Sequence, residues 1–390
     1  MATTHARIEQ SITLIKAEAV LTGMIFAMPV LNIFFAYEIG MTPAQIGLSQ
    51  AAFTAALLAL NVPAGWAADR FSRRISNALG DMIAALGHFL YAFSHTFTHV
   101  VICEIIIGIG LALSTGADTG LLKSYADFVG RSYTTISSRI QELRPLGEMT
   151  AYIVGSMVGA FNPRIAIGMA AVTCVAGAVL SLYAVEVGER RVSEHHPLKD
   201  MAIIVHSTLS GSGHLMWNVY ALSLSRNMTH AIIWVFTPLL LIAGVSPQTL
   251  GVAWAANTVA AYLGAKTAKH FALRLLDWQQ FAIAIPVFVV ASSVLSIHVG
   301  IVTVWLYTAF GWCRGWMGSV MGPIVQRHTP PDVRSTVDSV ADSLGRVVYI
   351  PAVWGIGAVA NHASQLAITF NMIVFAPLLV YAAVRLRRLS

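Results

Sequence analysis

Apolar runs of about twenty residues, the length that crosses a bilayer as an α-helix, recur along almost the whole chain. They fall near 12–37, 44–66, 75–95, 98–123, 136–161 and 164–187. Six more follow near 218–243, 248–270, 279–297, 300–326, 335–360 and 364–386. The breaks between them are short, apart from a polar connector that begins near Gly188. This pattern predicts an all-α integral membrane protein of twelve transmembrane helices. It divides the chain into an N-terminal six-helix bundle over 1–187, a connector with an interfacial helix over 188–217, and a C-terminal six-helix bundle over 218–390.

The two sets of six repeat one another. Gly40-Met41-Thr42-Pro43-Ala44-Gln45-Ile46-Gly47 opens span two, and Gly244-Val245-Ser246-Pro247-Gln248-Thr249-Leu250-Gly251 opens span eight. Gly, Pro and Gly coincide between the two stretches. Later, Gly147 and Gly159 coincide with Gly345 and Gly357. A parallel repeat of six spans gives two pseudo-symmetric halves.

Composition agrees with a lipid-embedded chain: 56% of the 390 residues are hydrophobic and only 11% charged, where soluble domains carry roughly 25% charged. The net charge of +6 is not a nucleic-acid signal, because the basic residues are scattered over short loops and form no face along a phosphate backbone. They do set the orientation. With the N-terminus in the cytoplasm, 18 of the 24 Lys and Arg lie on the cytoplasmic side and only Arg164 lies opposite. Both termini are therefore expected inside, in a plasma membrane of the bacterial inner-membrane type. The other five, Lys16, Arg144, Arg226, Arg314 and Arg346, fall within spans. The first run contains Lys16 and Glu18 and continues past Phe35, which is not the form of a cleavable leader. Cys103, Cys174 and Cys313 lie inside apolar runs without metal-ligand spacing, so packing is expected and neither a metal site nor a disulfide framework. No nucleotide loop, H-E-x-x-H or G-x-S-x-G context stands out. Neither an enzyme nor a cofactor is expected.

Between spans two and three stands Gly65-Trp66-Ala67-Ala68-Asp69-Arg70-Phe71-Ser72-Arg73-Arg74. The pattern G-x-x-x-D-R-x-x-R-R resembles the corresponding loop of major facilitator superfamily transporters. That resemblance implies that Asp69 caps and pairs with a neighbouring helix end, that Arg70, Arg73 and Arg74 sit in the cytoplasm, and that this group gates the inner side. The equivalent stretch of the second half, Gly264–Arg274, keeps only basic character. In span four, Glu104-Ile105-Ile106-Ile107-Gly108-Ile109-Gly110 followed by Ser114-Thr115-Gly116-Ala117-Asp118-Thr119-Gly120 is similar to one permease branch of the superfamily. Span five lacks the Gly-Pro pair typical of many drug–proton antiporters. The resemblance implies two bundles rocking about a central site lined by spans one, four, seven and ten, with spans five and eleven meeting the opposite half.

Charges inside spans are costly and mark function by default. Arg314, near the middle of span ten, is a candidate to hold a carboxylate or phosphate bidentately; the alternative is a helix-locking salt bridge. Arg226, His230 and Trp234 share one face of span seven. Trp312, Trp316 and Trp354 either stack on a substrate ring or pack. The candidate substrate contacts are thus Arg314, His230, Trp234, Trp316 and Asp118. Glu104, Asp118 and Glu148 are candidate proton sites, with packing or helix pairing as the rival for each, and Glu18 belongs either to a cavity or to the interface. Arg144 with Glu148, and Asp342 with Arg346, are spaced four apart and occupy matching places with signs reversed, which makes them candidate gating pairs. The expected activity is secondary active transport of a small organic solute, proton-coupled, by a monomer whose partners are that solute and the bilayer. The alternatives are a non-transporting sensor or assembly factor and a lipid flippase.

Overall fold

The computed structural model describes residues 2–70, 72–187, 213–271, 274–329 and 334–389. The described residues are helices joined by short turns, as a chain in lipid requires: backbone N–H and C=O groups find no water there and must be satisfied within each segment. The fold is the all-α one of twelve transmembrane helices. Six helices among the described residues are long and apolar enough on their own to cross a membrane: those beginning at Pro43, Phe97, Pro163, Asp277, Val340 and Ser364. The connector and the expected interfacial helix lie outside the described residues.

Span one departs from the single helix expected over 12–37. Its helix Ala2–Thr22 stops, turns occupy 23–30, and the chain resumes as Leu31–Ile33 and a wider turn Phe34–Ile39. Gly23 and Pro29 account for the break, since proline lacks an N–H and its ring collides with the preceding turn. Span seven breaks similarly, into Gly213–His230 and Ile233–Ile242, and span nine into Asp277–Ala282 and Ala284–Ile297. The remaining spans run Pro43–Arg70, Arg73–Ala92, Phe97–Val129, Tyr133–Phe161, Pro163–Tyr183, Leu250–Phe271, Thr308–Arg327, Arg334–Ala360 and Ser364–Leu389.

The chain forms two compact units. The first holds Met1–Gly40, Ala52–Leu198 and Pro247–Ala255. In it, span three packs on spans four and six, and span one on spans six, five and four. Arg164 pairs with Glu38 at 2.7 Å and donates to the carbonyls of Ala92 and Ser94 at 2.8 and 2.9 Å, a cation on the carbonyl end of span three. The second unit holds Met41–Ala51, Lys199–Ser246 and Ala256–Ser390. There span seven packs on spans ten, eleven and twelve, and span nine on spans twelve and ten.

The glycine repeat has a structural cause. Gly40 and Gly244, at equivalent places, both adopt left-handed backbone, with φ of 74° and 88°; glycine takes this conformation without steric cost. Seven residues on, Gly47 and Gly251 form matching close approaches. A Cβ on Gly47 would stand 2.6 Å from the carbonyl oxygen of Val353, and one on Gly251 would stand 2.0 Å from that of Tyr152. The first turn of span two therefore lies backbone to backbone against span eleven in the second unit. The first turn of span eight does the same against span five in the first unit. Gly47→Ala and Gly251→Ala are each expected to lower the melting temperature, by about 1–3 kcal/mol of overpacking. Gly168→Ala, where a Cβ meets nothing within 4 Å, should leave it unchanged. Thermal unfolding of the three detergent-purified variants checks this.

Candidate functional site

Four in-span charges of the first unit, Glu18, Asp81, Asp118 and Arg144, lie in one neighbourhood. Glu18 of span one and Asp81 of span three are each only 4% exposed, and both lie against Gly177 of span six, where a Cβ would stand 3.2 Å from Asp81 Oδ2 and 3.5 Å from Glu18 Cγ. Asp118 of span four adds a third carboxyl to the same neighbourhood. Glu18 Oε2, Asp81 Oδ2 and Asp118 Oδ1 have no conventional hydrogen-bond donor. Arg144 of span five lies within electrostatic reach of Glu18 and Asp118, its stem laid across Gly23 of span one. Its Nε is 3.6 Å from Glu148 Oε1, a long ion pair between a half-exposed arginine and a mostly buried glutamate. Asp118, Arg144 and Glu148 stand out in the sequence, whereas Asp81 does not. Its signal was available: the polar run Ser72, Ser76, Asn77, Asp81 marks one buried face of span three.

Glu104 is not part of this group. It lies fourteen residues up span four from Asp118, about 21 Å at 1.5 Å per residue. Tyr91 Oη donates to Glu104 Oε1 at 2.8 Å, both side chains being buried, and the Tyr91 ring packs against Phe34 and Phe35.

At the basic end of span three, Ser72 is the helix cap, its side chain accepting from Ile75 N at 3.2 Å. The carboxylate over this N-terminus comes from Glu186, just past span six. It accepts from the Arg73 and Arg74 backbone N–H groups at 2.9 and 3.4 Å and from the Ser72 hydroxyl, a placement favoured by the helix dipole. Arg73 donates to Ser124 Oγ at 2.7 Å and to the Gly120 carbonyl at 3.1 Å, while Arg74 reaches the Ala184 carbonyl at 3.4 Å. These two arginines thus tie span three to spans four and six. The side chains of Asp69 and Arg70 lie outside the described residues.

The second unit holds the basic counterpart. Asp342 of span eleven receives Arg346 at 2.7 Å, four residues along its own helix, and Arg226 of span seven at 3.5 Å. One turn beyond Arg226, His230 faces the Tyr349 ring at 5.2 Å between centroids. Trp234 Nε1 donates to Tyr349 Oη at 3.0 Å. His230 lies within electrostatic reach of both Arg314 and Arg346. Arg314 is half-buried and has no hydrogen-bond or ion-pair partner among the described residues. Two guanidinium groups therefore share the Asp342 carboxylate, and a third, Arg314, lies near His230. Trp316 is not in this group: it is 2% exposed, stacks on Trp312, and donates its indole N–H to the Gln280 carbonyl of span nine at 2.7 Å.

The family model of the Major Facilitator Superfamily matches residues 19–353. The chain belongs to this superfamily. Among solved structures, a mutant of the nucleoside transporter NupG superposes with a TM-score of 0.80 at 13% identity, covering 97% of this chain and 99% of that one. A bacterial homolog of the human lysosomal transporter Spinster, inward-facing and unoccupied, gives a TM-score of 0.73 at 13% identity, covering 97% and 96%. At such identities the likeness shows the fold alone. The quinolone resistance protein NorA of Staphylococcus aureus is 24% identical over 148 residues. That match spans 37% of this chain and 35% of NorA. Membership of the superfamily places the chain among multi-pass membrane proteins and supports a role in membrane transport.

Tyr91→Phe is expected to remove one buried hydrogen bond from Glu104 and to cost about 1 kcal/mol, read as a lower melting temperature, while flux per folded molecule stays at the wild-type level. Flux lost in excess of folded protein would return Glu104 to the transport machinery.

Proposed function

We propose that this superfamily member is a secondary active transporter of a small organic anion, driven by protons and working by alternating access. The observation that carries the reading is Arg314, a half-buried guanidinium at mid-span without a described partner. Desolvated charge in a membrane is retained only where it is paired or used. Arg346 and Arg226 already share Asp342, so the excess positive charge awaits an anion. A planar guanidinium suits a carboxylate or phosphate through two parallel hydrogen bonds. His230, Trp234 and Tyr349 supply flat faces and polar tips beside it. Asp118 is kept as a coupling residue of this mechanism. Asp69, Arg70, Arg73 and Arg74 would gate the inner side, and the pairs Arg144–Glu148 and Asp342–Arg346 would open and close as the site changes sides. Both termini would face the cytoplasm of the bacterial inner membrane.

A second reading, export of drug-like molecules, is favoured by the NorA match; in it the aromatic groups around His230 would carry the affinity instead of Arg314.

A solute that binds only the folded protein raises its melting temperature. In a thermal-shift screen of matched anionic, neutral and cationic solutes, the upward shifts are expected among carboxylates or phosphates. Arg314→Gln should abolish them, with a loss of at least about tenfold in affinity, since a charge-assisted hydrogen bond contributes roughly 1.5–3 kcal/mol. Shifts confined to neutral or cationic aromatics, retained in Arg314→Gln, would favour the second reading.

A further inference from the structure

The Glu18–Asp81 pair has no role in the substrate site above. The two carboxyl side chains come from spans one and three, in the interior of the first unit, and lie side by side against Gly177. Ionised carboxylates only accept hydrogen bonds, so two such groups can bond to one another only with a proton between them. The surroundings supply no other donor to the free oxygens, Glu18 Oε2 and Asp81 Oδ2. The titratable groups facing the pair are Asp118 from span four, Arg144 from span five and the Cys174 thiol from span six. The described residues contain no cluster suited to a metal ion. Gly177 of span six leaves room for the pair: a Cβ there would stand 3.2 Å from Asp81 Oδ2 and 2.7 Å from Thr22 Cγ2.

A second observation lies one turn away. Asn77, fully buried, is on the same face of span three as Asp81, four residues closer to the basic end. Its amide donates to Ser181 Oγ at 3.0 Å, yet its carbonyl Oδ1 is unpartnered. A buried acceptor without a donor beside a carboxyl pair is where a hydrogen-bonded water or a passing proton is accommodated.

We infer that the Glu18–Asp81 pair, with Asp118 beside it, is a proton-exchange site that works through Arg144. When the pair holds its proton, the Glu18–Asp81 hydrogen bond is intact and Arg144 is free to keep its long contact with Glu148. When the proton passes to water along the Asn77 side, one O–H bond breaks and a second negative charge is left on the pair. That charge draws Arg144 toward Glu18 and Asp118 and away from Glu148. The state of the proton is thereby converted into the state of a span-five ion pair. This deepens the proton-driven reading and rests on it for its physiological use.

The test is infrared spectroscopy of the purified protein in lipid at neutral pH, following the protonated-carboxyl stretching band. The wild type should show the band. Glu18→Gln and Asp81→Asn should each remove most of it, and Glu104→Gln should leave it. A band unchanged in Glu18→Gln and Asp81→Asn, or one lost in Glu104→Gln alone, overturns the inference. Should a variant fail to fold, wild type labelled with carboxyl-13C glutamate or aspartate decides: the band is expected to shift with at least one label, and the absence of any such band refutes the site. Flux in vesicles separates the two readings. A band that behaves as expected in a protein whose flux ignores pH leaves the proton site standing and removes the proton-driven mechanism.

Discussion

A charge or an unpaired backbone group at bilayer depth has no water to solvate it, and the rest of this structure follows from that constraint. The backbone meets it by helix formation. Where spans one, seven and nine break, the freed groups are satisfied by local turns. The side chains meet it by grouping. Asp342 collects Arg346 and Arg226, Glu38 receives Arg164, Glu104 receives Tyr91, and Glu18 lies beside Asp81 against Gly177. Arg314 departs from this rule among the described residues, and the proposed function grows from it.

The charges are unequally divided between the units. The first unit concentrates carboxyl groups around Arg144, and the second concentrates guanidinium groups around Asp342. The swapped signs of the matched pairs in spans five and eleven belong to this division, since each pair has the polarity its own neighbourhood can accommodate. Arg144 is outnumbered by carboxyls, and Asp342 by arginines. On the proposed account the acidic unit handles the proton and the basic unit the anion.

Much of this was legible in the chain itself. The span pattern, the charges within spans and the paired glycines all follow from length, polarity and repeat, and Gly40 and Gly244 prove to share a left-handed turn. Arg144 and Glu148 were legible as partners because one helix carries both. What escaped reading depends on neighbours far apart in sequence. Asp81 comes near Glu18 only because spans one and three both pack on span six, and it stands near enough to a basic loop to look like an ordinary helix-start acid. Glu186 is a lone acid after span six until the fold sets it over the first turn of span three. Trp316 resembled a ligand platform, but its indole is committed to span nine. The break in span one was foreshadowed by Gly23 and Pro29, yet apolar residues run straight through it and hide it from hydropathy.

The central claim, a proton-driven carrier of an organic anion, is tested most directly by flux into proteoliposomes. An anion that raises the melting temperature is supplied outside, and an imposed pH difference or an imposed sodium gradient is the sole driving force. The account predicts accumulation that follows the pH difference, is accompanied by proton movement reported by an internal dye, and collapses when a proton carrier is added. Accumulation that follows sodium and ignores pH, or binding without any flux in fully folded protein, would contradict it.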